Sequence, residues 1–499
     1  GTVFGRNATG GLINIITPDP SFDTRGRVSA RYGRLRNDAN DYDARAYVTG
    51  GLTETLAADF AGLYRKTDAY IEDLVRGGHV GEVQVVDVRS KLLFRPTDTS
   101  KIVLSVQYGD QESSINAFQP YHNIQTSGRR FPGVILTTGP WQYAGTIVPQ
   151  SDYDRYSFAL QTQFDLGSVS LQTTSSYIQN DIRQFTDSDG SNIFLGQIPF
   201  GATGESYSQE VRLLSSGSGK LQWIVGGYFF DLNGRAPFSL ISRRPPAAPT
   251  TRVFDSRLTT RSYSGFAEGT YELTPQLFLT AGARYTTEDR TFRQIFNGRD
   301  LFGKVKSSFD KWTYRGVIRW EFSDRGNVYA SFGTGFKSGV FNELGAAGVA
   351  TDPETIEALE GGIKVDPLPW LRTNLSVFRY DYKDLQVQAR AADGVNYVLQ
   401  NAATAELYGG ELEVTAEPVP DLNVRAAFSY LHSEYASFPK AQTFRPATNS
   451  AGVQIGGNVT EEFDVSGNQM IRAPKYTISG GINWSTDLAG GRFQAIGNI

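Results

Sequence analysis

The sequence predicts an all-β chain, a single large antiparallel transmembrane β-barrel. Three observations carry that expectation. Nineteen stretches alternate apolar and polar residues, and the connections between them alternate between tight turns and long polar segments. No run approaches the roughly 20 consecutive apolar residues that a spanning helix needs. A transmembrane strand takes ~9 to 11 residues, apolar toward lipid and polar toward the lumen, with short periplasmic turns and longer outer loops. The rhythm therefore predicts a place, the outer membrane of a Gram-negative bacterium, as well as a fold.

The alternation is visible from the first strand onward. Val28, Ala30 and Tyr32 share one face, and Arg27, Ser29 and Arg31 share the other. Ile102, Leu104, Val106 and Tyr108 repeat it, as do Val169, Leu171 and Tyr177 opposite Ser170, Gln172, Thr174 and Ser176. Near the end, Leu422, Val424, Ala426, Phe428 and Tyr430 oppose Asn423, Arg425, Ala427 and Ser429. Period two dominates and period 3.6 does not.

Nine short connections carry turn chemistry: 50–54, 96–99, 167–168, 216–219, 274–276, 324–327, 366–369, 418–421 and 487–491. Gly there supplies positive φ, Pro presets φ, and Asp or Asn bonds its own backbone. The nine connections between them, 35–40, 66–85, 112–152, 182–203, 232–260, 292–308, 338–353, 384–395 and 435–470, are mostly long and rich in Gly, Ser, Asn and Arg. These are expected on the cell exterior, where recognition resides. Nineteen is odd and cannot close a purely antiparallel cylinder, so strands beyond Ile499 are expected.

Composition agrees. The 499 residues do not divide into compositionally distinct halves, and 53 Gly, 25 Tyr and 31 Phe suit turns, bends and aromatic girdles. The absence of Cys excludes disulfides and thiolate metal sites, and a net charge of −4 without basic clustering is too slight to suggest nucleic acid, so no nucleic-acid partner is expected. The start has no Met, basic n-region or apolar h-region, so processing or truncation is expected to have removed any signal peptide.

The opening Gly1-Thr2-Val3-Phe4-Gly5-Arg6-Asn7-Ala8-Thr9-Gly10-Gly11-Leu12-Ile13-Asn14-Ile15-Ile16-Thr17 precedes the first barrel strand. It resembles the end of the plug domain of TonB-dependent outer-membrane receptors, with Gly5, Arg6, Asn7, Gly10, Gly11 and Asn14 as the plug motif. Ser208–Leu213, Asn327–Phe332 running to Gly339, Pro353–Thr355, Tyr380–Leu385, Tyr408–Glu413 and Ala473–Lys475 are similar to that family's barrel patterns. The resemblance spans essentially every residue. It implies a barrel of about 22 strands with a plug in its lumen. Residues 1–20 would then be the C-terminal remnant of the plug, including its last strand, and 21–499 the barrel. It further implies import of a scarce nutrient complex, most often a ferric siderophore, by energised plug rearrangement. The partner would be the inner-membrane TonB complex, reached through a box absent from this stretch. Outer-membrane lipid and lipopolysaccharide would surround the chain.

A barrel that wide needs something docked on its polar interior, so some of Arg27, Arg31 and Arg425 are expected to meet plug carboxylates or backbone carbonyls, with solvated lumen charges as the alternative. His122, Arg129, Arg130, Trp141 and Tyr143 in one outer loop, with Arg243 and Arg244 in another, could grip an anionic iron chelate through charge-assisted bonds and stacking. Solvated loop residues or lipopolysaccharide contacts are the alternatives. Asp187-Ser188-Asp189-Gly190 begins like a calcium loop, but Ile198 stands where the closing Glu belongs, so a polar loop is expected. The haem receptors' Phe-Arg-Ala-Pro box is replaced by Phe336-Lys337-Ser338-Gly339. Gly217-Ser218-Gly219-Lys220 lacks the first Gly of a phosphate loop, and Gly333-Thr334-Gly335 lacks the strand-to-helix context of a dinucleotide site. No catalytic triad, cofactor or metal site stands out, so the chain is read as a non-enzyme. The rivals are a passive porin, against which the plug-like opening argues, and an outer-membrane enzyme, which would usually be a smaller barrel.

Overall fold

The computed structural model describes residues 5–7, 9–115, 127–243, 246–342, 348–390, 397–488 and 490–499. The sheet opens with β1 (Arg25–Arg34), β2 (Asn40–Gly51) and β3 (Leu56–Thr67). The next connection forms β4 (Ile71–Asp73) and β5 (His79–Val80) before β6 (Val83–Thr97) and β7 (Ser100–Ser113) rejoin the sheet. A second long connection contributes β8 (Gln142–Tyr143), which pairs parallel with β4. Then come β9 (Gln150–Asp165), β10 (Val169–Asp187), β11 (Gly196–Ser215), β12 (Leu221–Ser242), β13 (Thr250–Thr274) and β14 (Leu277–Phe296). After the two-residue β15 (Arg299–Asp300) follow β16 (Val305–Ser323), β17 (Gly326–Lys337), β18 (Glu354–Leu368), β19 (Leu371–Arg390), β20 (Tyr397–Val419) and β21 (Leu422–Ser437). A detached hairpin, β22 (Ala441–Thr448) and β23 (Gln454–Phe463), precedes β24 (Tyr476–Leu488) and β25 (Gly491–Asn498).

Nineteen long strands, with β15 at one rim, make a single antiparallel sheet in which each pairs with its neighbours in sequence. Among the described residues β1 bonds only to β2, and β25 only to β24. All nine tight turns fall where turn chemistry puts them. Gly167 at φ +83° and Gly217 at φ +110° occupy the left-handed region that L side chains resist.

The outer side differs from expectation. Strands run to 22 residues in β12 and 25 in β13, well beyond the ~9 to 11 needed to cross lipid. The connections expected at 182–203, 232–260 and 292–308 shrink to 188–195, 243–249 and 297–304. The reason is the backbone ladder. Once two strands are in register, continuing the hairpin into water satisfies each N–H and C=O internally, even where the side chains are polar on both faces.

Residues 11–20 form no strand, which corrects the expected Ile13-Asn14-Ile15 element. Ile13, Ile15 and Ile16 are more than four-fifths exposed. An extended segment becomes a strand only when a neighbour accepts its hydrogen bonds, and among the described residues none does.

Leu279, Tyr285, Trp312, Tyr314 and Ile318 stand exposed on one face of β14 and β16, while Arg284, Thr286, Glu288 and Arg290 are buried on the other. The exposed face carries rings in contact, Tyr285 with Trp312 at 5.1 Å and Trp312 with Tyr314 at 6.1 Å. This is the apolar band and aromatic girdle of a lipid-facing wall.

Candidate functional site in the bore and at its outer mouth

The opening segment lies against the inner face. Arg6 pairs with Glu288 of β14, and its guanidinium stacks 4.2 Å over the Phe230 ring of β12. Glu288 also accepts from Arg290 Nε at 2.6 Å, so a carboxylate 1% exposed is held between two cations. The Asn7 backbone N–H donates to the Phe336 carbonyl at 2.9 Å, and its side-chain oxygen accepts from Ser338 N–H at 3.3 Å. The Tyr382 hydroxyl of β19 donates to the Thr9 carbonyl at 2.8 Å.

Further along, Lys91 Nζ of β6 donates to the Thr17 and Pro18 carbonyls, each at 3.1 Å. Lys101 Nζ of β7 reaches Asp19 at 2.5 Å. Phe22 packs on Ala57, Leu93 and Val103. Within sixteen residues the segment touches β12, β14, β17 and β19 and then β6 and β7, strands remote in sheet order. Only the concave side of a curved sheet brings such strands within reach of one short peptide.

Gly5 shows how tight the seat is. Its φ is +80°, and a Cβ there would sit 2.9 Å from the Arg284 guanidinium. Arg284 is itself buried, 5.0 Å from the Phe266 ring and 5.6 Å from that of Tyr228. Gly10 and Gly11 border a cavity of about 500 Å³ against Glu360, Phe378, Tyr380 and Tyr382. Asn14 is exposed.

The expected lumen arginines lie elsewhere in this network. Arg31 pairs with Asp41 at 3.0 Å, Arg425 Nε donates to Asn423 at 3.1 Å, and Arg27 is exposed. The contacts to the opening segment fall instead on Glu288, Phe336, Ser338, Tyr382, Lys91 and Lys101. Arg31 and Arg425 find partners on their own strands or a neighbouring one, which the polar alternation could not reveal.

At the outer mouth, three connections interlock. Arg76 donates to the Gly145 and Ile147 carbonyls at 3.0 Å each and pairs with Asp73 at 2.7 Å. Tyr143 is fully buried with Ile71 and Val80, and its hydroxyl donates to Ile147 at 2.8 Å. Burial pushes that hydroxyl's pKa up. Asp187 accepts from Thr146, Asp189 and Gly190 N–H groups, and Asp189 from those of Ser191, Leu195 and Gly196. These carboxylates cap loop backbone rather than converging on one cation position as those of a calcium loop would. Burial, reinforced by the neighbouring Asp187 and opposed by the hydrogen bond from Ser191, pushes Asp189 up to about 6.

The other loop residues scatter. Trp141 is 46% exposed beside Tyr70, with ring centroids 5.7 Å apart. Arg130 Nε donates to the Ile455 carbonyl of β23 at 3.0 Å, linking two connections. Arg243 Nε donates to the Ala247 carbonyl at 3.3 Å. His122, Arg244 and the Arg129 side chain lie outside the described residues. Tyr143 is thus committed to packing, whereas Trp141 remains open to solvent.

Comparison with known proteins follows this geometry. A family model described as "TonB dependent receptor-like, beta-barrel" matches residues 94–499. The iron-regulated outer membrane virulence protein of Vibrio cholerae serotype O1 (strain O395) is 22% identical over 500 residues, covering 97% of this chain and 65% of that protein. The chain therefore spans just under two thirds of the length of the curated relatives it matches. Among solved structures, the ferric yersiniabactin uptake receptor FyuA from Yersinia pestis aligns with TM-score 0.80 at 18% identity, covering 99% of this chain and 71% of that one. The siderophore receptor PiuA from Acinetobacter baumannii aligns with TM-score 0.73 at 17% identity, covering 96% and 72%.

Proposed function

Because the chain belongs to the TonB-dependent receptor family and its barrel resides in the Gram-negative outer membrane, we propose that it imports a ferric siderophore across that membrane. Outer connections bind the chelate, and energy relayed by the TonB complex of the inner membrane rearranges a plug, of which residues 1–20 are the C-terminal end and residues 21–499 the surrounding barrel. The observation that supports this reading best is the seating of residues 5–7 and Thr9 on the inner wall, with Arg6 paired to Glu288 and Thr9 held by Tyr382. A barrel of this size needs an occupant to close it to solutes. The family is one of transport receptors rather than enzymes, so the task is recognition and movement without bond chemistry.

The loop group that stands open to solvent is Trp141, with His122, Arg129, Arg130, Arg243 and Arg244 as further candidates for the ligand. The test is uptake of radioactive ferric chelates by cells producing the full-length receptor, with and without TonB and with the proton-motive force collapsed. Energy- and TonB-dependent uptake is expected. Uptake that persists without either would instead identify a passive diffusion channel.

A further inference from the structure

The inner wall built by β1, β2, β3, β6, β7 and β9 carries cations in successive rows. Lys91 marks the inner face because it holds the Thr17 and Pro18 carbonyls, and residues in register with it across the ladder share that face. Its row runs Arg25, Thr49, Asp59, Lys91, Ser105. The next row outward places Arg27 and Arg89 alongside Tyr47, Ala61 and Gln107. Above it Arg45 and Arg155 flank Asp87, and above that Arg31 and Arg65 flank Asp43.

Four consecutive rows, about 7 Å apart along the strands, therefore each hold two cations against at most one carboxylate. Arg31 and Arg65 pair with Asp41 of the row beyond, Arg45 with Asp43 and Arg89 with Asp59, but two cations are not spent on carboxylates. Arg155 Nε is buried without a hydrogen-bond partner, and Arg27 has no ion-pair partner among the described residues. The facing wall differs. There the rows crossing β18 to β21 read Glu360, Phe378, Gly409, Leu431 and Ala358, Tyr380, Leu407, Ser433. The β1–β9 side of the bore is cationic, whereas these rows of the other side are aromatic with a carboxylate, and the rows below them add Glu411, then Glu413 beside Lys364. The opening segment's Thr9 is held on the aromatic side by Tyr382.

We propose that the β1–β9 wall is an anion track, along which a negatively charged iron chelate descends once the plug moves. This rests on the import reading and names its substrate class. In a confined bore with low-dielectric walls, charge of one sign concentrates the opposite sign. A series of half-neutralised sites binds strongly enough to admit an anion and weakly enough to release it to the next row. One fully unpaired cluster would trap it.

The experiment compares uptake, by cells producing the full-length receptor, of four radio-iron probes: ferric citrate and ferric enterobactin, both anionic, neutral ferrichrome, and cationic ferrioxamine B. Uptake confined to one or both anionic probes is expected. In the double variant Arg27→Gln/Arg155→Gln, the maximal rate for that probe should fall at least fivefold while its surface binding constant stays within twofold. The variant Arg27→Lys/Arg155→Lys, which keeps the charge, should stay within twofold of wild type. Receptor level and heat-modifiable mobility report correct insertion, and a Gln variant that fails them is replaced by the two single variants. Uptake of only the neutral or cationic probe, or an unchanged rate in the Gln variants, overturns the track and leaves import standing. Uptake of none of the four counts against import itself, and the track falls with it.

Discussion

Arg6 and Glu288 are separated by 282 positions and meet in an ion pair on the inner wall of the barrel, with Arg290 holding the other carboxylate oxygen of Glu288. The two contacts to Glu288 are not equivalent. Arg290 belongs to the same strand and Arg6 to the opening segment, so one change loosens the segment and the other disturbs the wall.

Removing Glu288 leaves two guanidiniums facing each other in a buried site, whereas removing Arg6 leaves the Glu288–Arg290 pair intact. Glu288→Ala is expected to destabilise by about 3–5 kcal/mol, and Arg6→Ala by about 1.5–3 kcal/mol, the range for a hydrogen bond to a charged group. Denaturant unfolding in detergent micelles checks the order. Hydrogen exchange of residues 5–9 should quicken in both variants and that of β13 only in Glu288→Ala.

Gly5 sits at φ +80° against Arg284. Gly5→Val should cost at least the ~1–2 kcal/mol of a left-handed L-residue, and the side chain must also displace the guanidinium. Proteolysis near Arg6 is the readout. A rate equal to wild type would show that the seat tolerates a side chain.

Tyr143 ties the mouth connections together from a fully buried position. Tyr143→Ala should cost that unit about 3–5 kcal/mol, as for large-to-small changes of aromatic core residues. Tyr143→Phe should cost only about 0.5–1.5 kcal/mol, because Ile147 keeps its bond from Arg76. Exchange protection across residues 68–82 and 139–149 measures both, with the membrane-spanning strands unchanged.

The carboxyl of Asp189 has a defined pH window. Its folded value of about 6 lies above the ordinary 3.8. Between the two, the folded loop keeps a proton that the unfolded loop has released. Loop stability should therefore be highest below about pH 4, decline as pH rises through the window, and level off above about 6. Asp189→Asn should flatten that dependence. Protection of the 188–196 amides between pH 4 and 7 is the measurement, and a slope retained in the variant would assign the titration to another group.

The sequence by itself determined the number of long barrel strands, the nine tight turns and, in the four strands read residue by residue, the face shown to lipid. These are local properties: a period of two follows from the pleat, and a turn follows from Gly167 or Asp421 tolerating positive φ. How far each hairpin extends was not legible, because strand ends in water depend on the pairing partner rather than on hydropathy. At the mouth the sequence offered Trp141 and Tyr143 alike, two aromatic residues two positions apart, and only packing leaves the first exposed and the second buried. Only the tertiary structure decided that Arg6 belongs to Glu288, that Thr9 belongs to Tyr382 and that the cations of β1 to β9 line up in rows. An ion pair spanning most of the chain, and a row assembled from six strands, depend on register and curvature, which no stretch of residues contains alone.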